Sequence, residues 1–343
     1  MQSRSENRKK KQEKQRIILG IIILILAILI TIITASIISN NTAKEVATKE
    51  PESLADEFVN SVNTQNFEED VNEEIIENSV EENEVVENTV EEMCKSAVDK
   101  GLFALAITDH CEAPEIPLGS ESEYGDFSKL IPKSNYETSI MQDRFKGKIK
   151  ILKGIELGEP MHNAECTKKA LCFGDFDIII ASVHNLRNRP DFYYMDFKKE
   201  DVKAILNMYF DELLETASFA DFCTLAHLTY PLRYIKRDIG TVPSLSPYRD
   251  KIDLIYETLI KNDKALEINV SGLFKGLGET LPAFDEIKRY HDLGGKYITV
   301  GSDAHNINDV GRDIEKGIEL AFKAGFKSYY IYENCCPYEI TIE

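Results

Sequence analysis

Six residues of this chain are of types and at positions suited to metal-assisted chemistry. His110, Glu156, His184, His227, Asp303 and His305 each lie at or just beyond the carboxyl end of a short apolar run. A lone histidine at such a place is usually structural. Four of the chain's six histidines placed this way ask for another reason. Imidazoles and carboxylates without thiolates suit zinc, manganese or iron, and a carboxylate can bridge two ions. Clustered divalent ions lower the pKa of a bound water and clamp the oxygens of a phosphate ester during in-line displacement. The chemistry indicated is metal-assisted phosphoester hydrolysis on a small phosphorylated substrate.

The elements that must position these groups are legible in the same runs. They are FALAITDH (103–110), IKILKGIEL (149–157), DIIIASVH (177–184), CTLAHL (223–228), ALEIN (265–269) and YITVGSDAH (297–305). Amphipathic stretches such as Lys199–Ala220 and Pro282–Leu293 separate most of them. Thr89 followed by Val90, Glu91 and Glu92 has the form of a capped helix start, and Gly101 ends that helix. Strands alternating with helices imply a parallel sheet, whose strands are buried on both faces and so read as continuously apolar. Reactive residues at the carboxyl ends of such strands describe an α/β barrel with its site on that rim.

Charge divides the 343 residues into unlike parts. The net charge of −19 argues against a nucleic-acid partner, which requires a basic face. Residues 1–40 carry a net +5, residues 41–92 a net −15 and the remainder −9. After a basic segment (1–16), the uncharged run 17–38 is long enough for a single membrane-spanning helix. A cleaved signal peptide would have a shorter apolar region, of about 7–15 residues. The cluster from Arg8 to Arg16 before that run places the N-terminus in the cytoplasm by the positive-inside rule. Residues 39–88 read as an acidic stalk, disordered or helical, and 89–343 as the catalytic domain.

The segments AITDHCE, KGIELGEP, ASVHNLR, AHLTYPLRY, EINVSGL and TVGSDAHN, in this order, resemble the polymerase-and-histidinol-phosphatase (PHP) superfamily, and within it the bacterial histidinol-phosphatase branch. The resemblance runs from about Val90 to the C-terminus. It implies a distorted (β/α)7-type barrel, up to three divalent metal ions, and hydrolysis of L-histidinol phosphate in histidine biosynthesis. Carried over, it makes Glu156 a bridge between two ions, with His184 and His227 completing one site. His110 and His305 would hold a second ion and Asp303 a third, Asp109 would orient His110, and Arg233 and Lys275 would bind the substrate phosphate. An ordinary surface pair of Arg233 and Arg237 is the competing reading.

The chain departs from that pattern at its front. Family members begin with a strand bearing His-x-His, and here no histidine precedes His110. The barrel is therefore expected to lack its first strand and to hold fewer than three ions. His162 and His291 are the only spare histidines, and both are expected at the surface. The seven cysteines show no CxxC spacing, which suits free thiols in a reducing compartment and conflicts with a catalytic domain placed outside the membrane. Two other functions stand beside histidinol-phosphate hydrolysis: a phosphoesterase acting on nucleotides or phosphotyrosine, and a degenerate barrel that binds metal without catalysis.

Overall fold

The computed structural model describes residues 88–112, 114 and 126–342, which fall within one unit spanning 83–343. The expected membrane span at 17–38, and nearly all of the acidic stalk, lie outside the described residues. No described helix is long and apolar enough to cross a membrane.

The first helix, α1 (Val90–Asp99), forms as its cap predicts. The Thr89 side chain accepts from Glu92 N, and the Glu92 carboxylate accepts a 2.8 Å bond from Thr89 N in return. Gly101, at φ +70°, turns the chain out of the helix in a conformation other residues resist. Seven parallel strands follow: β1 (Ala104–Ile107), β2 (His110–Cys111), β3 (Lys150–Gly158), β4 (Ile178–Ser182), β5 (Thr224–Leu225), β6 (Ala265–Asn269) and β7 (Ile298–Gly301). Their order is β1-β3-β4-β5-β6-β7, and β2 pairs with the far end of β3, so β1 and β2 are two lengths of one edge. All six apolar runs named above are thus strands. Helices α2 (Phe127–Arg144), α3 (Ala164–Leu171), α4 (Val202–Ala217), α5 (Pro231–Ile239), α6 (Arg249–Lys261), α7 (Phe284–Asp292) and α8 (Ile314–Ala324) connect or follow them.

The strands are apolar because helices cover them. β6 is buried at every position, and Tyr209 and Phe210 of α4, Tyr256 of α6 and Tyr290 of α7 are fully buried in the same core. Expected as a barrel, the sheet among the described residues is a curled parallel layer, open between β1 and β7. A second apolar cluster lies along this seam. It joins Cys94 and Ala97 of α1 to Ile149, just before β3, to Ile151 of β3 and to Val310, beyond β7. Polar latches reinforce it. Lys100 Nζ donates to the carbonyls of Ile307, Asn308 and Val310 at 2.8–2.9 Å, Ser96 Oγ donates to Ile307 O, and Ile307 N donates to Asn88 Oδ1.

The chain ends in an antiparallel hairpin of β8 (Ser328–Glu333) and β9 (Cys336–Thr341). Tyr330 and Tyr332 of β8 are buried. The hairpin tip meets the start of β4, where Asn334 N and Cys335 N donate to Asp177 at 3.1 and 2.9 Å.

Candidate metal centre

Parallel pairing sets the ends of β2, β3, β4 and β5 side by side, and with them their polar residues. His110 is in register with Glu156, and Glu156 with Ile180. Two residues beyond β4 and β5 stand His184 and His227. Glu156 is the hub. His184 Nε2 and His227 Nε2 lie 3.1 and 3.0 Å from its Oε1, and His110 Nε2 lies 3.7 Å from its Oε2. One carboxylate therefore turns one oxygen to two imidazoles and the other to a third. The set suits divalent ions by its donor chemistry: imidazole nitrogens around a buried carboxylate. The Nδ1 atoms of His184 and His227 are buried without a hydrogen-bond partner among the described residues. His227 and Asp303, at φ +21° and +49°, adopt backbone conformations that cost energy for residues with a side chain, as residues at functional sites often do.

The electrostatics of the metal-free site follow from this geometry. Burial opposes charge on His184, but the hydrogen bond and charge of Glu156 outweigh it and raise the imidazole to about 10. Burial also opposes charge on His110, which Glu156 and Glu112 raise to about 9. Burial would raise Glu156, yet the three imidazoles hold it well below the usual carboxylate range. Burial keeps His227 low, hence neutral and ready to ligate. Beneath them Glu267 is pushed by burial to about 8 while accepting from His227 N at 2.9 Å. Gly301 makes room for it, since a Cβ there would lie 2.3 Å from Glu267 Oε1.

These shifts set a pH dependence for the metal-free chain. The histidines' folded values lie above the unfolded value of about 6.5, so their contribution is complete below that pH and is lost as pH rises through about 9 to 10. Glu267 acts in the same direction, costing stability as pH rises from about 4.5 towards 8. After chelation, the melting temperature should be lower at pH 10 than at pH 6.5. A flat or rising profile would show that the imidazoles do not hold these protons.

The other expected site residues divide. Asp303 lies at the far side, where burial is outweighed by Lys275 and its carboxyl is held low. Lys275 Nζ donates to Asp303 O at 2.8 Å and lies 3.3 Å from His305 Nδ1, and His305 and His110 have ring centroids 5.8 Å apart. Arg233 is buried, which removes the surface-pair reading. Its Nη2 donates to Ser271 Oγ and lies 3.8 Å from Asp303 Oδ2, and its guanidinium stacks on Tyr230 and Tyr234. Its buried Nε has no hydrogen-bond partner among the described residues. Arg237 points elsewhere and ties the carbonyls of Tyr193 and Met195. Asp109 departs from its expected role. Its carboxylate accepts from Ser134 Oγ of α2, and its carbonyl accepts from Glu156 N. It is Glu112 that holds His110, with Oε1 3.1 Å from Nδ1. Two residues apart on an extended segment, His110 and Glu112 share a face, a signal present in HCE. His162, expected at the surface, has a side chain only 8% exposed, and its Nε2 lies 2.7 Å from Glu212. His291 is half-buried against Phe326.

A parallel α/β sheet with imidazoles and carboxylates gathered at its carboxyl rim defines the class, and residues 86–271 match the PHP domain: the chain belongs to that family. Among its relatives is a probable histidinol-phosphatase of Thermotoga maritima, 42% identical over 119 residues. That match covers 35% of this chain, and the chain spans about half (48%) of the length of that relative. The histidinol-phosphatase of Lactococcus lactis is 30% identical over 59% of this chain and 75% of its own. The crystal structure of a histidinol phosphate phosphatase from Lactococcus lactis, complexed with Zn, L-histidinol and phosphate, superposes with a TM-score of 0.59 at 25% identity, covering 73% of this chain and 92% of that one.

Proposed function

We propose that the chain is a metal-dependent phosphomonoesterase that converts L-histidinol phosphate to L-histidinol and phosphate. The observation that carries the reading is Glu156, with three imidazoles divided between its two oxygens. The names of the relatives, and the zinc, histidinol and phosphate of the similar crystal structure, support the substrate.

In this reading Glu156, His184 and His227 hold one divalent ion, His110 and His305 a second, and Asp303 the remnant of a third position. When bound, such ions supply a water of lowered pKa and offset the charge of the phosphoryl group. The residues of the chain do the rest. Glu112 orients His110, and Glu267 fixes the main chain at His227. Arg233 and Lys275, on the Asp303 side, receive the phosphate. Burial lowers the Lys275 ammonium, and an anion beside it would favour its charged form. The apolar run at 17–38 would tether the enzyme to a membrane, a reading that rests on sequence alone.

The test is steady-state phosphate release from L-histidinol phosphate beside an aryl phosphate and a nucleoside monophosphate, with zinc, manganese or iron supplied in turn. A preference of about tenfold or more in kcat/KM for histidinol phosphate, worth about 1.4 kcal/mol, is expected. Equal rates would favour a broader phosphoesterase. Metal bound without turnover would favour the non-catalytic reading, to which the open seam between β1 and β7 lends support. Arg233→Lys should raise KM about tenfold with a smaller effect on kcat, because a point charge replaces a two-pronged donor. An unchanged KM would remove Arg233 from the phosphate site.

A further inference from the structure

At the opposite ends of the strands, away from the metal centre, two thiols are held against one short stretch of backbone. Cys223 immediately precedes β5 and is buried. Its N–H donates to Ile179 O at 2.7 Å, and its sulfur accepts from Ile179 N at 3.4 Å. Cys335 lies 112 positions later in the chain, at the tip of the β8–β9 hairpin, and its thiol donates to Phe176 O at 3.5 Å. Both sulfurs therefore lie against the same short stretch, 176–179, that leads into and opens β4.

The local backbone makes this placement costly. Glu333 pairs with Cys336, so Asn334 and Cys335 form a two-residue turn, with φ of +50° and +57°. Such turns favour Asn-Gly, because glycine alone takes positive φ freely. Here the glycine position holds a cysteine, whose strained backbone is anchored by Cys335 N to Asp177 O at 2.9 Å. Cys335 is also exposed while Cys223 is not, which gives the pair one accessible and one sheltered thiol.

We propose that Cys223 and Cys335 are a redox pair that closes into a disulfide, stapling the C-terminal hairpin to the foot of the parallel sheet. The oxidant is a small-molecule disulfide such as glutathione disulfide. The exposed Cys335 thiolate attacks one of its sulfurs, forming a mixed disulfide and expelling one thiolate. The Cys223 sulfur, having given up its proton, then attacks the Cys335 sulfur of the mixed disulfide and expels the second. Two protein thiols lose two electrons and two protons, and one small disulfide becomes two thiols. The assignment of roles agrees with the electrostatics: the hydrogen bond from Cys223 lowers Cys335 to about 7, whereas Cys223 is raised by that same contact and by burial.

The full chain would be equilibrated with glutathione disulfide, alkylated in denaturant and digested without reductant for mass spectrometry. The expected product is a Cys223–Cys335 cross-linked peptide, formed to the same extent in Cys336→Ser and absent in Cys335→Gly. Because glycine suits the turn, Cys335→Gly should fold, and its melting temperature should not respond to the oxidant. In the parent chain, oxidation should raise the melting temperature by about 5 °C or more, since a loop of over a hundred residues is closed. A persistent glutathione adduct on Cys335, a Cys335–Cys336 link, or seven free thiols after treatment would each overturn the proposal.

Discussion

Glu156→Gln should reduce turnover of histidinol phosphate by about a thousandfold or more, equivalent to about 4 kcal/mol of transition-state stabilisation, and should strip the chain of metal. An amide keeps the shape but presents one oxygen and one N–H₂, so it can no longer serve His184 and His227 with one atom and His110 with the other. The metal-free variant should also be less stable than the metal-free parent. Removing one member of a buried ion pair leaves the other uncompensated, at a cost of about 3–5 kcal/mol. Here the uncompensated groups are imidazoles that can shed their protons, so the loss should be greatest near pH 6.5 and shrink towards pH 10. Elemental analysis together with melting curves at the two pH values checks both parts. A variant that keeps its metal would move the hub of the site away from Glu156.

Turnover in the unaltered chain should itself lie about three powers of ten below that of a relative with a complete first strand, and no more than two ions should bind tightly. The Asp303 side provides no imidazole from a preceding strand, and its carboxylate faces Lys275 and Arg233 instead. Side-chain cations can hold a phosphate there but cannot lower the pKa of a water as a divalent ion does. Placing a strand with His-x-His ahead of Thr89 should add one ion and recover most of the rate. Three ions in the unaltered chain, or full activity without the added strand, would show that other ligands fill the position.

Much of this architecture is legible in sequence because burial on both faces leaves an unbroken apolar signature. The runs DIIIASVH (177–184) and ALEIN (265–269) form strands for that reason. The start of α1 is legible because Thr89 and Glu92 serve each other's backbone, a local interaction. What is not legible depends on distant partners. Glu267 reads as one polar residue in an apolar strand, and only the fold puts it under His227. His162 looks like a surface histidine until α4 brings Glu212 to it. Asp109 and Glu112 flank His110 at one and two residues, and the path of the chain after β1 decides which of them reaches the imidazole. The terminal hairpin leaves no clear signal because its turn is Asn-Cys, without the glycine that marks such turns.

The seam between β1 and β7 bears on how the scaffold tolerates change. Removing a strand from the middle of such a sheet would separate two neighbours that must pair and would leave a connection to be rerouted across the breach. An open edge beside β1, as among the described residues, does neither. Every remaining pairing from β1 to β7 persists, no loop is stretched, and Lys100 and Ser96 still fasten the two borders through the 307–310 segment. The candidate metal-binding rim is thereby modular: the half built on Glu156 is held by strands that pair with one another, and an added strand would need only one new junction, at the entrance to α1.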